Sequence, residues 1–254
     1  MKKLIAVLVL LIAFATVSAI AGQSKVPPIE YQPPKVSKKL KRIIVREGIK
    51  EFHEKLDPVI EIKNPQIKNY LQGITQKLVI NSPAWFAQKQ YRTYIVYNNG
   101  FSAQSFVNGN IIIDITFLCS FQSEDALAWF LSHEITHIGF EHYLVESLVI
   151  RGPKSYLLTE QIFANEIEAD TYGAKVAASA GYLVTDISEL KRVVGNGGLY
   201  YRDRTVRAES VMREQQLWVK DCPNCNPTSH PLPNWFLKVC KSYGVGESRP
   251  LFAK

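Results

Sequence analysis

"FLSHEITHIGFEH", residues 130–142, decides how the rest of the chain is read. On a helix, His133 and His137 stand one turn apart and about 40° around the axis, so both rings leave the same face. Two imidazole nitrogens so placed suit adjacent corners of a zinc tetrahedron, and Glu134, about 100° away, flanks them without having to ligate. The neighbours Leu127, Phe130, Leu131 and Ile138 are apolar. Two histidines and a carboxylate on such a helix are costly to bury unless something pairs with them.

A metal site needs a third ligand, and two schemes can be tested. One places it ten residues after the first histidine, with a glycine three after the second; those positions hold Tyr143 and Phe140, so that scheme fails. The other takes a glutamate from a later helix. "NEIEADTYGAKVA" (residues 165–177) offers Glu166 and Asp170 four apart on one face, with Glu168 about 200° from Glu166 and facing away. That arrangement allows Glu166 to reach the metal as the third ligand while Asp170 orients a liganding histidine through its other ring nitrogen. Read alone, the same acidic run would be a solvated helix face.

The surroundings place these motifs in an α+β chain. Residues 37–56 carry a helical pattern through Leu40, Ile43, Ile44 and Phe52, stopped by Asp57-Pro58. Asn64 and Pro65 open a second helix whose apolar positions are Ile67, Leu71, Ile74 and Leu78. Residues 91–99 read as a strand, and Asn108-Gly109 as a hairpin between strand-like arms, with Ile111, Ile113 and Ile115 on one face of the second. Helices follow: residues 123–144, then 159–180 ended by Gly181, then 186–194 and 205–220. Strands gathered before a run of helices suggest α+β, mostly helical, with a small antiparallel sheet.

The 254 residues, 46% hydrophobic, suffice for a single domain, expected over 37–254. Residues 1–21 read as a secretory signal, with cleavage after Ala21; an uncleaved anchor is the rival reading. Residues 22–36 are proline-rich and expected to be extended. Removing Lys2 and Lys3 takes the net charge from +7 to +5. With no long basic run, nucleic acid is not the expected partner, and "KKLKR" (38–42) reads as a solvated helix face. An exported, periplasmic or secreted chain makes Cys222 and Cys225 of "CPNC" a local disulfide. A structural zinc held by Cys222, Cys225, His230 and Cys240 is the alternative, and Cys119 reads as a buried free thiol.

"ALAWFLSHEITHIGFEH", "EIEADTYG", "AGY" (180–182) and "SHPLP" (229–233) together resemble the zinc metallopeptidases of the CAAX prenyl protease and HtpX family, notably its soluble periplasmic quality-control members. The similarity runs over residues 64–233. It implies a zincin-like fold and one zinc ion on His133, His137 and Glu166, with Glu134 as catalytic base and Asp170 behind a ligand. It also implies an edge strand beside the motif helix, expected at Ile111, Ile113 and Ile115, that holds substrate extended. His230 matches a family histidine near the metal, a catalytic group or an inhibitory ligand. Where the family often has an arginine six residues further on, this chain has Phe236. His142, half a turn from His133 on a continuous helix, is expected to be structural, or at most to support a ligand. The implied activity is zinc-dependent endoproteolysis of unfolded or misassembled envelope polypeptides, with association to a membrane or outer-membrane assembly machinery. A zinc-containing, chaperone-like binding protein is the alternative, and an accidental HEITH in a metal-free interaction protein is a third reading.

Overall fold

The computed structural model describes residues 35–97, 102–153, 155–194, 204–222, 225 and 228–243. The expected signal segment and nearly all of the proline-rich stretch lie outside the described residues. Among the described residues no helix is long and apolar enough to cross a membrane.

The chain is α+β and mostly helical. Helix α1 (Lys38–Leu56) is capped by Ser37, and α2 (Pro65–Ile80) by Asn64, whose side chain accepts from the amides of Gln66 and Ile67. Ile67, Leu71, Ile74 and Leu78 of α2 are all buried, so the apolar stripe faces the core. After the short α3 (Ala84–Ala87) come the strands β2 (Arg92–Tyr97), β3 (Ala103–Ser105) and β4 (Asn110–Asp114). With β1 (Ile60–Glu61) they form a sheet of order β1-β2-β4-β3.

This sheet is mixed, not antiparallel: β2 and β4 run parallel, from Arg92 beside Asn110 to Val96 beside Asp114. β3 pairs antiparallel with β4, Ser105 opposite Ile111 and Ala103 opposite Ile113. The expected substrate strand is therefore corrected. β4 has a partner on each side, and Ile111 and Ile113 are fully buried within it. Ile115 has already left the sheet for α4 (Ile115–Leu118), capped by Asp114. Both faces of β4 are covered, Ile111 and Ile113 by the main core and Ile112 by a smaller cluster with Phe52, Val96 and Phe106. A strand buried on both faces reads as a continuous apolar run, and edge and centre then look alike in sequence. The hairpin itself is present, closed by Gly109 at φ 84°. A Cβ there would lie 1.8 Å from the Gln90 carbonyl oxygen, so both the turn and the close approach require glycine.

The motif helix α5 (Glu124–Gly139) is buried along nearly all of its length. It packs on α7 (Leu158–Ser179), the helix that carries the acidic motif. Gly173 permits the contact: a Cβ there would stand 2.9 Å from the His133 backbone nitrogen. Ser132 Oγ donates to the Gly173 carbonyl at 2.7 Å, fixing the register of the two helices beside the histidines.

α5 does not continue to residue 144. It ends at Gly139, Glu141 adopts φ 55°, and a new helix α6 runs from His142 to Arg151. The left-handed conformation costs a non-glycine residue about 1 kcal/mol or more, and Glu141 is held in it by Lys41 at 2.9 Å and Lys89 at 3.4 Å. Lys89 Nζ also donates to the Ile138 carbonyl at the end of α5. Lys41 of "KKLKR" is thus committed to a contact and is not merely solvated.

Three further helices, α8 (Ile187–Val193), α9 (Arg204–Asp221) and α10 (Asn234–Ser242), complete the described fold. Cys119 is not a free thiol: it is bonded to Cys240, which ties the segment after α4 to α10. Closing so long a loop stabilises the fold by about 2–5 kcal/mol. Cys222 bonds Cys225, so no cysteine remains for the alternative zinc site.

Candidate metal centre

His133 and His137 present their Nε2 atoms to each other at 3.0 Å. Glu166, from α7, reaches both: Oε1 lies 3.4 Å from His137 Nε2 and Oε2 lies 3.6 Å from His133 Nε2. Zinc bonds of about 2.0–2.1 Å at tetrahedral angles set ligand atoms about 3.3 Å apart. The three groups converge at the spacing that a small cation requires, and the set could hold a metal ion.

The electrostatics favour positive charge at this point. Burial works against a charged His137, but the Glu166 carboxylate, with Glu134 and Glu146, outweighs it and pushes the imidazole up to about 9. Burial likewise opposes charge on Glu166, yet His137, His133 and Arg207 hold its carboxyl well below the usual range.

Each ring has a polar group close behind it. His133 Nδ1 lies 2.9 Å from Asp170 Oδ1, and Asp170 is fully buried. His137 Nδ1 is 2.9 Å from His142 Nδ1, and His142 Nε2 is 3.0 Å from Glu168 Oε2. Burial lowers His142 to about 4, so the neutral ring can accept at Nδ1 from His137 while donating from Nε2 to Glu168. A His137 ring protonated on Nδ1 leaves Nε2 as its ligating atom. The half-turn separation expected of His142 fails because the helix breaks at Glu141; the break swings His142 back beside His137. Glu168 does face away from the cluster, but towards His142.

Glu134 is buried and lines a cavity of about 270 Å³ together with His137, Glu166 and Glu146. Ala103, Gln104 and Ser105 of β3 form another wall of that cavity. β3 pairs only with β4 among the described strands, so the strand that borders the site is β3.

His230 is not brought to this cluster. Its Nδ1 is 2.9 Å from Asp125 Oδ1, its backbone N–H donates to Asp125 Oδ2 at 2.7 Å, and its carbonyl accepts from the Glu124 amide. Asp125 lies two turns before His133, roughly 12 Å along the axis. The expected placement of His230 near the metal is corrected accordingly: its contacts are at the opposite end of the motif helix.

Sequence reasoning missed Arg207 and the Glu146–Asn165 pair. Arg207 donates from Nε to Asp170 Oδ2 at 2.6 Å and from Nη2 to Asp170 Oδ1 and Glu166 Oε2, each at 2.9 Å. Asn165 Nδ2 donates to Glu146 Oε1 at 2.7 Å, beside Glu166. The one available signal was indirect: a buried Asp170 needs a cation, and α9 carries several arginines. No family model matches the chain, and no curated protein matches it either.

Proposed function

We propose that this chain is a zinc-dependent endopeptidase with a zincin-like catalytic domain, of the kind the CAAX prenyl proteases and HtpX represent. Its proposed setting is the cell envelope, where it hydrolyses peptide bonds in misfolded or misassembled exported polypeptides. The observation that carries this reading is the meeting of His133, His137 and Glu166, from two helices, with His137 and Glu166 lining the same cavity as Glu134.

Two neutral imidazoles and one carboxylate suit zinc, with a coordination position left for chemistry. Zinc held there would supply Lewis acidity, polarising a substrate carbonyl and making water nucleophilic near neutral pH. Glu134 takes the proton from the attacking water and delivers it to the departing amide nitrogen. Asp170 and His142 hold the two imidazoles in orientation, and the apolar packing around α5 limits competing water. The outer edge of β3, at Ala103–Ser105, which no other strand among the described residues covers, offers main-chain hydrogen bonds to an extended peptide, which gives affinity with little demand on sequence.

The test is metal quantification on protein purified without a histidine tag, paired with cleavage of an unfolded protein substrate with and without chelator. One zinc per chain and chelator-sensitive cleavage are expected in the wild type. Glu166→Ala should lose most of both. Stoichiometric zinc without cleavage would favour a chaperone-like binding protein, and a wild type without metal would end the reading.

A further inference from the structure

We propose that Arg207 is a positioning residue of the metal centre, locking Glu166 and His133 into one frame through a single guanidinium. The inference rests on the metal reading above and extends it to a third helix. Arg207 comes from α9 and is 3% exposed. Its Nε and Nη2 grip both oxygens of Asp170, and the same Nη2 reaches Glu166 Oε2. The Asp170 oxygen that Nη2 contacts is also the one 2.9 Å from His133 Nδ1. One nitrogen therefore links Glu166 to the carboxylate that stands 2.9 Å from the His133 ring.

The opposite charges need each other. A buried guanidinium without a partner, or the buried Asp170 carboxylate and half-buried Glu166 without one, would be strongly unfavourable. A dication with Glu134, Glu166, Asp170 and Arg207 makes a neutral set, so the arrangement is balanced only with both positive partners present. The planar fork also fixes direction, which a point charge does not. Held by Arg207, the Glu166 side chain is already ordered at its place beside the imidazoles before any cation arrives.

A purely electrostatic role predicts the opposite outcome. Arg207 repels a cation, so removing its charge alone would tighten metal binding. Positioning predicts weaker binding whether or not the charge remains. The experiment compares zinc affinity, by competition with a chromophoric chelator, in the wild type, Arg207→Lys and Arg207→Gln, with thermal melts to check folding. Loss of a group that orients ligands typically weakens metal binding about 10–100-fold, and that loss is expected in both variants. Cobalt substitution gives a second readout: the visible bands should shift in the variants as the ligand geometry relaxes. Tighter zinc binding by Arg207→Gln, or wild-type affinity and spectrum in Arg207→Lys, overturns the proposal. If neither variant folds, Asp170→Asn, which breaks the bidentate grip, carries the test with the same expected loss, and unchanged affinity overturns it. A wild type that binds no zinc removes both the metal reading and this inference; a wild type that binds zinc no better than its folded variants removes the inference alone.

Discussion

The two ends of α5 both bury charged groups, yet they treat them differently. At the N-terminal end, the two buried carboxylates, Asp125 and Glu189, are enclosed by donors. Asp125 accepts from the Leu183 amide, the His230 amide and the His230 ring. Glu189 accepts from the amides of Gln122 and Ser123 and from the Ser123 hydroxyl. At the C-terminal end, two ring nitrogens and a carboxylate point at one another, and their partners stand behind them. Closed pairing at one end anchors the helix. Convergence at the other aims two imidazoles and a carboxylate at a shared point, which is an arrangement for holding a proton or a cation.

The sharpest way to break this contrast is Glu134→Gln. The amide keeps the side chain's volume in its buried position but cannot act as a base. General acid–base catalysis contributes about 10²–10⁴-fold, and a loss of that size in kcat is expected, with zinc content and melting temperature close to wild type. Retained turnover would place the base elsewhere; lost metal would make Glu134 a ligand.

Proton competition gives the next largest effect. Below about 9 the His137 imidazole of the metal-free protein carries a proton, because nearby carboxylates outweigh its burial. A cation must displace that proton to bind, so apparent zinc affinity should rise about tenfold per pH unit as pH increases towards 9, and then level off. The stability linkage runs the other way for the metal-free protein. An imidazole raised above its unfolded value of 6.5 adds stability below that value, and the gain is lost as pH rises through about 9. Binding curves from pH 6 to 9.5 with opposite slope would show that the cluster does not take up a proton in place of a metal.

The motifs were legible because they are local. Helical spacing alone set His133 beside His137 and Glu166 beside Asp170, and it marked Ile67, Leu71, Ile74 and Leu78 as one buried face. What was not legible depends on contacts between distant segments. The break follows Gly139, but the residue that takes the left-handed turn is Glu141, held there by Lys41 and Lys89 from far away in sequence. The Cys119–Cys240 bond joins residues 121 apart, beyond the reach of any spacing rule. β4 is interior because β3 covers its outer side, and alternation within one strand cannot reveal its neighbours. Arg207 lies on a mostly polar helix, where an arginine that is buried looks the same in sequence as one that is solvated.

His230 offers the smallest effect and the most direct check on which end of α5 it serves. Its ring nitrogen contacts Asp125, and Thr228 Oγ1 lies 3.2 Å from its other ring nitrogen. His230→Ala removes the ring contact and leaves the backbone N–H on Asp125 Oδ2, so the buried carboxylate loses one donor of three. A hydrogen bond to a charged group is worth about 1.5–3 kcal/mol, and the partial exposure of the ring argues for the lower figure. A fall in the urea midpoint equivalent to about 1–2 kcal/mol is expected, with zinc affinity and kcat both within about twofold of wild type. A loss of turnover out of proportion to the loss of stability would mean that His230 leaves Asp125 when peptide binds. The separation between the anchoring end of the helix and the end that carries the candidate metal centre would then hold only in the substrate-free protein.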